Sequence, residues 1–96
     1  MAAGAIFGAS GLTLSAGESL VFATEFGHEG GCDGRLSVIN VNPASADYGG
    51  KAILLEGLCG AHDLKLNAAE SLIYFVEVDA SRMSVIKINT DKLDWK

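Results

Sequence analysis

The chain has 96 residues, 49 % apolar and only 20 % charged, with seven basic against twelve acidic side chains and a net charge of −5. That length fits one domain, the composition excludes a disordered chain, and the charge balance lacks the clustered Lys and Arg that a nucleic-acid partner requires. The opening "MAAGAIFGASG" has no basic leader and too short an apolar run to span a bilayer, so no membrane partner is expected and a soluble, cytoplasmic chain is favoured.

In chain order, "AGAIF" at residues 3–7 reads as a short apolar segment, and the glycine-rich "GASG" follows it. The alternation of "LTL" predicts a strand over 12–15, and the turn "SAGES" leads to the apolar run "SLVFATEF", a strand over 19–26. The connection "GHEGGCDG" precedes an alternating strand over 35–42. "NPASADYGG", holding the only proline, Pro43, leads to "KAILLEG" over 51–57. The series then restarts, with strands expected over 64–67, 71–78 and 83–89 and only "DKLDWK" left where a fourth would follow. Leu14, Leu20, Phe22, Val38 and Ile39, with Leu66, Leu72, Tyr74, Val85 and Ile86, are the expected core. No strong helical period occurs.

The restart is an internal repeat. "LTLSAGESLVFATEF" at 12–26 matches "LKLNAAESLIYFVEV" at 64–78 in seven of fifteen positions, and "RLSVINVN" at 35–42 matches "RMSVIKIN" at 82–89 in five of eight. Upstream, "AIFGASGL" at 5–12 echoes "GLCGAHDL" at 57–64. The chain is thus one all-β domain over 1–96, made of two four-stranded antiparallel repeats of about 50 residues, near 5–57 and 58–96. A second strand apolar on both faces must be covered on both sides, so the sheets must stack. Sheets of four antiparallel strands stacked face to face are the pattern of β-propeller blades.

"AAESLIYFVEVDASRMSVIKINT" resembles the blade repeat of YVTN-type and lactonase-like seven-bladed propellers. The likeness covers both repeats, although their Asp-Gly turn is here "SAGES" and "NAAES" and their Tyr-Thr-Asn core is "FATEF" and "YFVEV". Propellers close with about four to eight blades, and this chain holds two. Completion by a homo-oligomer is therefore expected, with the 3–7 segment pairing beside the third strand of a second repeat. The alternatives are a self-contained two-sheet β-sandwich and a piece of a longer propeller.

Blade geometry gathers the connections after the second and fourth strands at one end. The first repeat has five extra residues there. That end collects His28, Glu29, Asp33, His62 and Asp63, a mixture of imidazole and carboxylate suited to a divalent metal or to acid–base chemistry. A solvated glycine-rich connection would look the same, and His62–Asp63 would equally serve as a turn cap. Glu25 and Glu77 recur on apolar strands, where an unpaired carboxylate is costly, and Arg35 and Arg82 recur opposite them as structural partners. Cys32 and Cys59 lack a CxxC spacing and are expected as ordinary thiols rather than a bridge. The default function is a non-enzymatic binding or interaction module taking a small-molecule or protein ligand at the loop-rich end. The resemblance implies a lactonase-like, metal-assisted hydrolase as the alternative, and a propeller gene fragment without its own activity is the third reading.

Overall fold

The computed structural model describes residues 9–89, apart from Ala16 and Glu29. Seven strands form: β1 (Ala9–Leu14), β2 (Leu20–Glu25), β3 (Gly34–Asn40), β4 (Lys51–Leu58), β5 (Ala61–Leu66), β6 (Leu72–Glu77) and β7 (Arg82–Lys87). Every strand pair is antiparallel. One sheet runs β1-β2-β3-β4 and the other β5-β6-β7, so the all-β, two-sheet expectation holds. The expected closing strand at 3–7 and the tail "DKLDWK" lie outside the described residues. Among the described residues no helix is long and apolar enough to cross a membrane.

The repeat is kept down to single hydrogen bonds. In the first turn the Ser15 amide donates to Leu20 O, and in the second the Asn67 amide donates to Leu72 O. Ser15 Oγ and Asn67 Oδ1 then accept from the amides of Leu20 and Leu72. Glu18 and Glu70, at matching places in these turns, share a left-handed backbone with φ of 55°.

β1 and β5 each begin three residues before the stretch that alternation predicts. The reason is a pair of matching irregularities: the pairing shifts between Ala9 and Gly11 in one sheet and between His62 and Leu64 in the other. A bulge adds a residue without ending the ladder, which hides the strand start from a period-two reading. The expected turn cap at His62–Asp63 is therefore corrected to a bulged strand.

One face of the first sheet carries Phe22, Leu36, Val38 and Ala52, which pack with Leu64, Ile73 and Phe75 of the second sheet in one core cluster. Partly buried Leu20, Leu66 and Ile86 join them. Five expected core residues do not: Leu14, Tyr74 and Val85 are exposed, Leu72 is half-buried, and Ile39 is buried but outside this cluster. Strand pleat and strand position decide this. Tyr74 and Val85 point to the far face of the second sheet, away from the face between the layers; Leu14 lies on the far face of the first sheet in the edge strand β1, whereas Ala23, Ser37 and Ile39 on the central strands of that same face are buried.

The two cysteines are bridged, Cys32 to Cys59, which corrects the reading of two thiols. They sit 27 residues apart, and the β3–β4 hairpin returns the chain from one to the other.

Candidate functional site

Strand direction puts the ends of β2, β4 and β6 beside the starts of β1, β3, β5 and β7, so the intervening connections share one end of the molecule. Cys59 ties them together. Its sulfur joins Cys32 in the β2–β3 connection, its amide donates to Glu77 Oε1 at 3.0 Å, and its carbonyl accepts from the Asp79 amide at 3.1 Å. Asp79, in a single 3₁₀ turn at Val78–Ala80, also accepts from the Gly30 amide at 3.1 Å. Connections from both repeats are thereby locked side by side. Gly60 must be glycine here: its φ is +71°, and a Cβ would lie 2.9 Å from the Asp79 carboxyl carbon.

Within the β2–β3 connection, Asp33 accepts from the His28 amide at 2.8 Å and sits 2.6 Å from His28 Nδ1. The Asp33 carboxyl is held below its usual range by that amide first and by the His28 ring second. Gly27, with φ of +82°, lets the chain pass: a Cβ there would come within 2.3 Å of Asp33 Oδ1.

Across the sheets, His62 Nδ1 lies 3.0 Å from Ser10 O and accepts from the Asp63 amide at 3.1 Å, and Ser10 Oγ donates to Ala61 O at 2.6 Å. Ser10 Oγ also lies 3.2 Å from Thr24 Oγ1. Ser10 and His62 occupy the same position of the two repeats, so the two bulges are bonded to each other. Gly11 lies against the second bulge, where a Cβ would sit 2.9 Å from Asp63 Cα.

Glu25 and Glu77 close the inner side of this end. Glu25 is fully buried and accepts from Arg35 at 2.9 Å, Lys51 at 3.1 Å and Ser37 Oγ. Glu77 accepts from Arg82 Nε at 2.6 Å, Arg82 Nη2 at 3.0 Å and Ser84 Oγ at 3.0 Å. The Glu77 carboxyl is lowered to about 2, chiefly by the Arg82 guanidinium; burial opposes this, and the Cys59 amide and Ser84 hydroxyl assist it. Each Glu lies opposite its Arg in the strand register, as the repeated charges predict.

The structure thus brings His28 to Asp33, and it places His62 and Asp63 at the same end but bonded to other groups. Glu29 lies outside the described residues. Among the described residues no three His, Cys, Asp or Glu side chains gather as a metal site, so His28, Asp33, His62 and Asp63 do not converge into one shell. Sequence reasoning missed Cys59 as the centre of the locked end, Lys51 as a partner of Glu25, and Ser10 as the contact between repeats. The one available signal was the alignment of Ser10 with His62.

No protein-family model matches the chain, and the searches of curated proteins and of solved structures returned no match.

Proposed function

We propose that the chain is a pair of propeller-type blades acting as a non-enzymatic binding module, with the end formed by residues 26–28, 30–33, 59–63 and 78–81 as its recognition surface. The observation that carries this reading is the locking of three connections from two repeats through Cys59. Connections held in one arrangement lose little conformational freedom when a ligand binds, which favours affinity. His28 and Asp33 are exposed on this surface, and its carboxylates favour a cationic or hydrogen-bond-donating ligand. The bridge also fits an oxidising compartment better than the cytoplasm favoured by the sequence.

The test is a fragment screen followed by amide NMR, run beside turnover of a lactone panel with zinc, manganese or calcium. Shifts concentrated at His28, Asp33, His62 and Asp63, without turnover, support a binding module. Metal-dependent hydrolysis abolished by His28→Ala with His62→Ala would establish the hydrolase instead.

A further inference from the structure

The two sheets differ by one strand. In the first sheet β3 lies between β2 and β4, whereas among the described residues its repeat twin β7 pairs with β6 alone. Burial records the difference. Ser37 and Ile39 stand beside Ile53 and Lys51 of β4 and are 0 % and 3 % exposed, but their twins Ser84 and Ile86 are only half-buried.

The backbone at this edge is set for pairing. The Ile88 amide donates to Ser71 O, so by antiparallel alternation residues 84, 86 and 88 turn their amides and carbonyls toward β6. Those of Met83, Val85 and Lys87 turn outward. Asn40, the twin of Lys87, uses the same two groups on the β4 side: its amide donates to Gly50 O at 2.9 Å and its carbonyl accepts from the Gly49 amide at 2.8 Å.

We infer that β7 takes an extended segment of another protein as a fourth, antiparallel strand, and that this segment has the chemistry of β4. Strand addition draws affinity from main-chain bonds and specificity from alternate side chains. The register of β4 on β3 supplies the pattern. Leu55 stands opposite Leu36, Ala52 opposite Val38 and Glu56 opposite Arg35, so the segment presents an apolar residue to Met83, a small one to Val85 and a carboxylate to Arg82. A counterpart of Lys51 is not required: Lys51 bonds Glu25 Oε1, and Glu77 Oε1 already accepts from the Cys59 amide. Charge narrows the occupant further. Arg82 is 59 % exposed and Lys87 is exposed, and β7 contains no carboxylate, so a second copy's β7 brings only like charge to this edge. The segment "AGAIF" at 3–7 has no carboxylate to offer either. The edge acts independently of any ligand at the loop end.

The probe is a fluorescein-labelled peptide of residues 50–58, GKAILLEGL, titrated against the full chain by anisotropy and followed by amide NMR. It should bind, with the largest shifts at Met83, Val85 and Lys87. Val85→Pro removes an outward amide at an edge, where proline is tolerated, and should weaken binding about tenfold or more. The same peptide N-methylated at Ala52 should lose as much against the unaltered chain, which keeps the test intact if the proline variant misfolds; Glu56→Lys in the peptide should weaken it too. Equal binding of the N-methylated peptide, shifts centred on Leu36 and Val38 instead, or no binding below about millimolar overturns the inference. So does a peptide of residues 1–9 that binds as tightly. An unaltered chain that sediments above the protomer mass and returns to it with Val85→Pro gives the edge to a second copy, and overturns it as well.

Discussion

Glu77 combines a buried carboxylate with a guanidinium that is 59 % exposed. Its folded pKa of about 2 lies below the ordinary 4.5, so the folded state binds this proton less readily than the unfolded chain does. The resulting stabilisation is fully present above about pH 4.5 and is lost as pH falls toward 2. Glu77→Gln should lower stability at pH 7 by about 1–3 kcal/mol and flatten the acid limb, as read from urea unfolding at pH 7 and pH 3. The exposed His28–Asp33 pair acts in the same direction. Glycine offers a second comparison at this scale. Gly57 and Gly60 both have positive φ, but a Cβ at Gly57 meets nothing within 4 Å whereas at Gly60 it meets Asp79. Gly60→Ala should therefore cost about 1–3 kcal/mol, and Gly57→Ala distinctly less, by thermal unfolding. The Glu–Arg pairs were legible because the same charges recur at the same strand positions twice. Lys51 was not, since its approach to Glu25 depends on irregular pairing between β3 and β4, which no local pattern encodes.

At the scale of the strand, alternation was a good guide to direction and a poor guide to burial. β6 shows both: Ile73, Phe75 and Glu77 turn inward and are buried, while Tyr74 between them faces out. Ile73→Ala should cost about 2–5 kcal/mol, the usual range for emptying a packed core site. Lys65→Ala, on the neighbouring strand and exposed, should stay within about 0.5 kcal/mol, both measured by urea unfolding. Period-two reading found where β1 and β5 run but not where they begin, because Ser10 and Asp63 sit at irregular pairings and look like loop residues. Those starts matter, since the bulges carry the hydrogen bonds between the repeats.

For the whole molecule, the repeat revealed two stacked sheets, and stacking order explains why Tyr74 and Val85 lie outside, on the far face of the second sheet, while Leu14 is exposed by its place on the edge strand β1. The locked loop end was legible only in part. The repeat placed its connections together, but Cys32 and Cys59 carry no local signature of pairing, and their meeting depends on how the hairpin between them returns. That same bridge gives the chain a covalent topology. The segment from Cys32 to Cys59 contains β3, β4 and the exposed connection around Pro43 and Ala44, so together with the sulfurs it forms a closed loop of backbone. A single protease cut within residues 41–50 would open that loop without releasing either half. The nicked protein should migrate as one species before reduction and as two fragments after it, and two fragments in the unreduced sample would show that the thiols are not joined. Cleavage at this connection is therefore survivable: the bridge, together with the β3–β4 pairing, would keep both halves of a nicked molecule in place.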